Sequence, residues 1–178
     1  MKTLKNRICH EVDNLLGTKE TIQYDDIAKL EYLGQTLKES LRKHPPATGT
    51  VRVTTKPEKF GQFQIPKGAK LHFSIFISHH LPEHWRDPEQ FIPERFSVCN
   101  KNRISNFVYF PFSCGPRVCI GKVFSAINAT VLMARLFQTF KFQLVSRQAV
   151  QRDETLTLHP KGGVCCTIKE RSCAHALN

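Results

Sequence analysis

The stretch Tyr109-Phe110-Pro111-Phe112-Ser113-Cys114-Gly115-Pro116-Arg117-Val118-Cys119-Ile120-Gly121 constrains the fold most sharply. Prolines and glycines packed this closely exclude a regular helix or an interior strand, so the segment is a loop. Immediately after it, Val123 to Phe140 carries apolar residues at helical spacing and reads as a helix. The loop therefore delivers Cys119 to a helix N-terminus, where unpaired N–H groups and the helix dipole favour a thiolate, a metal ligand or nucleophile. Gly115 permits backbone conformations or close approaches closed to other residues, and Arg117 adds a permanent cation with five donors. Together these suit a large anionic cofactor better than a lone metal ion.

The rest of the composition narrows the class. Hydrophobic residues make up 40% of the chain, with 13 Phe, enough for a real core. The net charge of +11 implies an acidic partner. Nucleic acid is not expected, because Lys and Arg are scattered without aromatic interleaving or a basic helix. Seven cysteines, at 9, 99, 114, 119, 165, 166 and 173, follow no secretory signal and read as reduced thiols. Cys165 and Cys166 are adjacent in a strand-like run and point to opposite faces. The most apolar helix, Val123 to Phe140, is interrupted by Asn128 and Arg135, so no membrane span is expected. His79, His80, His84 and Cys99 fit no zinc spacing and read as surface residues.

Along the chain, Leu4, Ile8, Val12 and Leu15 or Leu16 mark a first helix ending at Gly17. A second, capped by Asp25 or Asp26, runs through Ile27, Leu30, Leu33, Leu37 and Leu41 and stops at Pro45-Pro46. On it Glu39 and Arg42 are three apart and lie away from the leucine face, which by periodicity alone reads as a solvated pair. Residues 47–55 and 60–76 read as a small antiparallel sheet. Residues 79–102 form a proline-rich loop anchored by burial of Trp85, Phe91 and Phe96, with Arg95 as a tie to a neighbour. Later strands are expected at 142–145, 156–158 and 164–168, with Pro160-Lys161-Gly162-Gly163 as the hairpin turn between the last two and a frayed tail over 171–178.

Glu39-Ser40-Leu41-Arg42, Phe91-Ile92-Pro93-Glu94-Arg95-Phe96 and Phe112 to Gly121, in this order, resemble the three signatures of the cytochrome P-450 haem-thiolate monooxygenases. The resemblance implies a mainly α fold with small antiparallel β-sheets, of which residues 1–178 would be the C-terminal haem-binding portion. It implies haem b, with Cys119 as axial thiolate, Arg117 and Arg52 holding the propionates, and Phe112 and Gly121 beside the cofactor. Glu39, Arg42 and Arg95 would form a buried network, replacing the solvated pair. Ala47, Thr48, Gly49, Thr50 and Val51, with Gly162 and Gly163, would line the substrate pocket. Residues 32–42, the following Pro45-Pro46-Ala47 with Gly49-Thr50 and Arg52, and residues 109–113 most resemble the cholesterol 24-hydroxylase group, which implies a sterol or similarly long, lipophilic substrate.

The resemblance also implies dioxygen and an acidic, NADPH-dependent electron-donor flavoprotein as partners. It places the full-length form on the cytosolic face of the endoplasmic reticulum membrane. Asn128 and Ser125 depart from the family's usual Glu and Ala, and Cys114 adds a second thiol near the ligand. The family's oxygen-activating helix and membrane anchor are expected upstream of Met1, so the 178-residue chain by itself is expected to lack turnover. The rival reading is a truncated, non-catalytic chain with at most haem binding.

Overall fold

The computed structural model describes residues 4–101, 104–145, 150–155 and 157–171. In chain order the elements are α1 (Leu4–Leu16), α2 (Tyr24–Lys29), α3 (Glu31–Lys43), β1 (Gly49–Val53), β2 (Glu58–Phe60), β3 (Phe63–Ile65), β4 (Lys70–Ser74), α4 (Ile75–Ser78), α5 (Val98–Lys101), α6 (Lys122–Thr139), β5 (Phe140–Leu144), β6 (Arg152–Glu154), β7 (Leu158–Pro160) and β8 (Cys166–Glu170). Single 3₁₀ turns occupy Pro93–Phe96 and Gly115–Arg117. The expected mainly α fold with small antiparallel ladders is what forms.

The core joins α1, α3 and α6. Ile8, Val12 and Leu16 of α1 pack with Leu30, Tyr32 and Leu33 and with Ala134 of α6, all buried. At about 25 cal/mol per Å² of apolar surface removed from water, such a cluster dominates the stability of a chain this size.

The single second helix expected from the leucine spacing is in fact two. The chain breaks at Leu30 (φ −79°, ψ 62°) because the Tyr32 and Leu33 N–H groups donate to the Glu11 carboxylate, at 2.6 and 2.8 Å, and start α3 afresh. A carboxylate from α1 thus satisfies the orphan donors of α3 and complements its dipole. Before the break, Asp26 sits in the first turn of α2 and accepts the Gln23 N–H at 3.1 Å.

The expected sheet over residues 47–76 resolves into two separate ribbons, β1 with β4 and β2 with β3. The Pro160 to Gly163 turn exists, with Gly162 and Gly163 at φ +73° and +77°, yet it is no hairpin: β7 pairs with β6, and β8 pairs with β5. Of the expected strand at 156–158, Leu156 lies outside the described residues. Phe91 is 38% exposed and is no anchor, whereas Trp85 and Phe96 are buried as expected. Arg171, placed in the frayed tail by sequence, grips Asp13 at 2.8 and 2.6 Å; residues 172–178 lie outside the described residues.

Candidate functional site

The cysteine loop is shaped by two left-handed residues, Ser113 (φ +63°) and Gly115 (φ +70°). A Cβ on Gly115 would meet nothing within 4 Å, so its conformation, not a close approach, calls for glycine there. The loop is closed by the Cys119 N–H donating to the Phe112 carbonyl at 2.9 Å. Cys119 then lies just before Gly121, the N-cap of α6, with its thiol exposed. A Cβ on Gly121 would sit 3.7 Å from Cys119 Sγ.

Two adjoining clefts meet at this loop. The smaller, about 300 Å³, is lined by Cys119, Arg117, Phe112, Ala47, Gly49 and Thr50 together with Leu41, Pro46, Ile75, Pro111 and Ser113. The larger, about 810 Å³, lies between α3 and α6 and shares Leu41, Pro46, Pro111, Phe112 and Ser113 with it. Ser125 faces the larger cleft, as does Cys114.

The donor set fits a haem. A thiol and a guanidinium share an apolar cleft, and Arg117 makes no hydrogen bond or ion pair to another described residue. Arg52 donates to Thr50 Oγ1 at 2.8 Å and to the Val51 carbonyl at 2.9 Å, and it has no carboxylate partner among the described residues. Arg117, a cation without a carboxylate partner among the described residues in the apolar cleft beside Cys119, suits a greasy macrocycle with acidic side arms, whereas Arg52 lines neither cleft.

Behind the loop, Glu39 and Arg42 are completely buried, and the solvated-pair reading is wrong. Arg42 Nε donates to Glu39 Oε2 at 2.8 Å and Nη2 to Oε1 at 2.9 Å, the forked geometry that makes guanidinium–carboxylate pairs strong. The remaining Arg42 donors reach the carbonyls of His79 (2.8 Å) and Pro88 (2.8 Å). Glu39 Oε1 also accepts from the Ile92 N–H (2.9 Å) and Arg95 Nε (3.4 Å), and Arg95 Nη2 reaches the Asp87 carbonyl at 2.7 Å. Helical periodicity missed this because α3 is buried on two sides: its leucine face meets α1 and α6, and its polar face meets the loop at 79–96.

His79 overturns its reading as a surface residue. It is fully buried, stacked on Tyr109 with ring centroids 5.2 Å apart, and edge-on to Phe110 and Trp85. Burial pulls its pKa down to about 4. Tyr109, whose hydroxyl donates to the Lys38 carbonyl at 3.0 Å, has its pKa pushed up by burial and then by the Glu39 charge. No spacing rule flags such a histidine; the aromatic residues around it are the only sequence-level hint.

The remaining expected pocket residues divide. Thr48 turns its hydroxyl to Glu154, and its carbonyl accepts the Phe76 N–H. Val51 is half exposed and lines neither cleft; Gly162 and Gly163 stand in the turn after β7, also outside both. Gly49 carries a requirement that sequence did not reveal. A Cβ there would lie 2.9 Å from the Phe73 carbonyl and 2.8 Å from the His72 ring.

Among known proteins, the family model described as Cytochrome P450 matches residues 2–167. Cytochrome P450 3A6 of Oryctolagus cuniculus is 37% identical over 147 residues, covering 83% of this chain and 29% of that protein. Cytochrome P450 3A18 of Rattus norvegicus is 39% identical over 140 residues, covering 79% and 28%. Cytochrome P450 3A19 of Capra hircus aegagrus is 36% identical over 139 residues, covering 78% and 64%. The chain spans about 29% of the rabbit relative's length. The names of these relatives lend no support to the finer likeness to cholesterol 24-hydroxylase.

Proposed function

The chain belongs to the cytochrome P450 family, and from that premise we propose that it supplies the thiolate side of a haem-thiolate monooxygenase, with Cys119 as axial ligand of haem b. The observation that carries this is the pairing of the Cys119 thiol and the Arg117 guanidinium in one apolar cleft. When bound, the haem iron supplies dioxygen activation, to which a thiolate ligand contributes electron density. The chain's own residues hold and shield the group. Arg117 and Arg52 bind its propionates, Phe112 limits water near the sulfur, and Gly121 keeps the approach to Sγ open. Glu39, Arg42 and Arg95 fix the segments behind the loop.

On this reading Ala47, Gly49 and Thr50 face a lipophilic substrate, with Thr48, Val51, Gly162 and Gly163 farther out. An acidic NADPH-dependent flavoprotein delivers electrons at the face near Cys119, a docking that the chain's net charge of +11 favours. The longer form works at the cytosolic face of the endoplasmic reticulum; among the described residues no helix is long and apolar enough to cross a membrane. A sterol remains the specific substrate proposed, on the resemblance of residues 32–42, of Pro45-Pro46-Ala47 with Gly49-Thr50 and Arg52, and of residues 109–113.

A second reading, haem binding without turnover, draws on the same clefts: among the described residues no Asp or Glu lines either one, so those residues offer no carboxylic acid there to deliver protons. One experiment addresses both. The full-length parent and the 178-residue chain, each with haem and reductase, are incubated with sterols and fatty acids. Sterol hydroxylation by the parent supports the proposal, oxidation of fatty acids alone removes the sterol, and no oxidation by a thiolate-ligated parent removes the monooxygenase. Haem binding without turnover by the short chain supports the second reading for that form.

A further inference from the structure

We propose that His79 is a positioning residue that ties the cysteine loop to the Glu39–Arg42 brace; its bearing on catalysis rests on the reading of Cys119 as haem ligand. The imidazole is held from both sides. Nδ1 lies 3.2 Å from the Arg42 carbonyl, and the Phe110 N–H points at Nε2 from 3.1 Å. A carbonyl can only accept and an N–H can only donate, so Nδ1 carries the hydrogen and Nε2 offers its lone pair. The other tautomer breaks both bonds.

The grip is reciprocal, because Arg42 Nη1 donates back to the His79 carbonyl at 2.8 Å. On the loop side, Phe110 leads directly to Phe112, whose carbonyl accepts the Cys119 N–H at 2.9 Å. Thus one ring, one residue pair and one further hydrogen bond connect the buried brace to the sulfur-bearing residue. Stacking on Tyr109 and edge contacts to Phe110 and Trp85 leave the ring no room to turn. With His79 lost, the part-buried Phe110 N–H loses its acceptor, and the loop's entry is free to move.

Hydrogen exchange by mass spectrometry on the 178-residue chain tests this without haem. His79→Phe keeps the volume and removes both bonds; exchange over residues 109–119 is expected to speed up about tenfold while α1, α3 and α6 keep their protection. His79→Gln places an acceptor oxygen near the Phe110 N–H and is expected to restore most of the loop protection. Should His79→Phe unfold, His79→Asn, which keeps the donor to Arg42 and loses the acceptor, takes its place with the same expectation. The proposal is overturned by unchanged loop exchange, by no recovery in His79→Gln, or by equal loosening of loop and core. Failure of the haem reading is seen separately, as absence of thiolate-type absorption in the unmutated, haem-loaded chain.

Discussion

Glu39 accepts Nε and Nη2 of Arg42 at 2.8 and 2.9 Å in a site from which water is excluded. Removing one partner leaves an orphaned buried charge. Glu39→Ala and Arg42→Ala are each expected to cost about 3–5 kcal/mol in urea unfolding. The exposed pair Lys56–Glu58, at 3.7 Å, is the contrast: Lys56→Ala is expected to change stability by under about 1 kcal/mol. Equal effects at the two sites would contradict the buried network.

His79 makes stability depend on pH. Its folded pKa of about 4 lies below the ordinary 6.5, so between these values the unfolded chain binds the extra proton. The stability its neutral form contributes is whole above pH 6.5 and falls by about 3 kcal/mol as pH drops toward 4. His44 and His80, lowered mainly by burial, act in the same direction. Urea midpoints across pH 7 to 4 should slope less in His79→Gln; an unchanged slope would remove His79 as a major source.

Gly49→Ala tests the β1–β4 ribbon beside the smaller cleft. Its new Cβ meets a backbone oxygen that side-chain rotation cannot move, so a loss of about 1–3 kcal/mol is expected. Thr50→Ala, with an ordinary Cβ already present, serves as the control and should cost less.

Arg117→Ala is expected to weaken haem retention roughly ten- to a hundredfold in an apomyoglobin transfer assay, the loss of a charge-assisted bond. Arg117→Lys should recover only part, because a point charge lacks the planar fork.

Much of this architecture was legible before any coordinates. The leucine spacing located α1 and α3, and the proline–glycine run located the cysteine loop and the start of α6. What escaped depended on partners far along the chain. Glu11 splits the second helix by capturing two N–H groups, and no local pattern in residues 24–43 announces a carboxylate arriving from α1. His79 reads as a surface residue because its spacing to His80, His84 and Cys99 fits no zinc site, whereas in space it is enclosed by aromatic rings. Pro160 to Gly163 forms a turn but not the expected hairpin, because pairing is decided by which strand edges meet, and β8 meets β5. The shared cleft of Cys119, Arg117 and Thr50 needed the fold, since β1 and the loop are distant in sequence.

The central claim is that Cys119, and not the neighbouring exposed Cys114, ligates haem iron. The haem-loaded full-length parent, reduced under carbon monoxide, should show the red-shifted Soret band of thiolate ligation. Cys119→Ser should abolish that band and Cys114→Ser should leave it. Loss of the band in Cys114→Ser with its survival in Cys119→Ser would contradict the account.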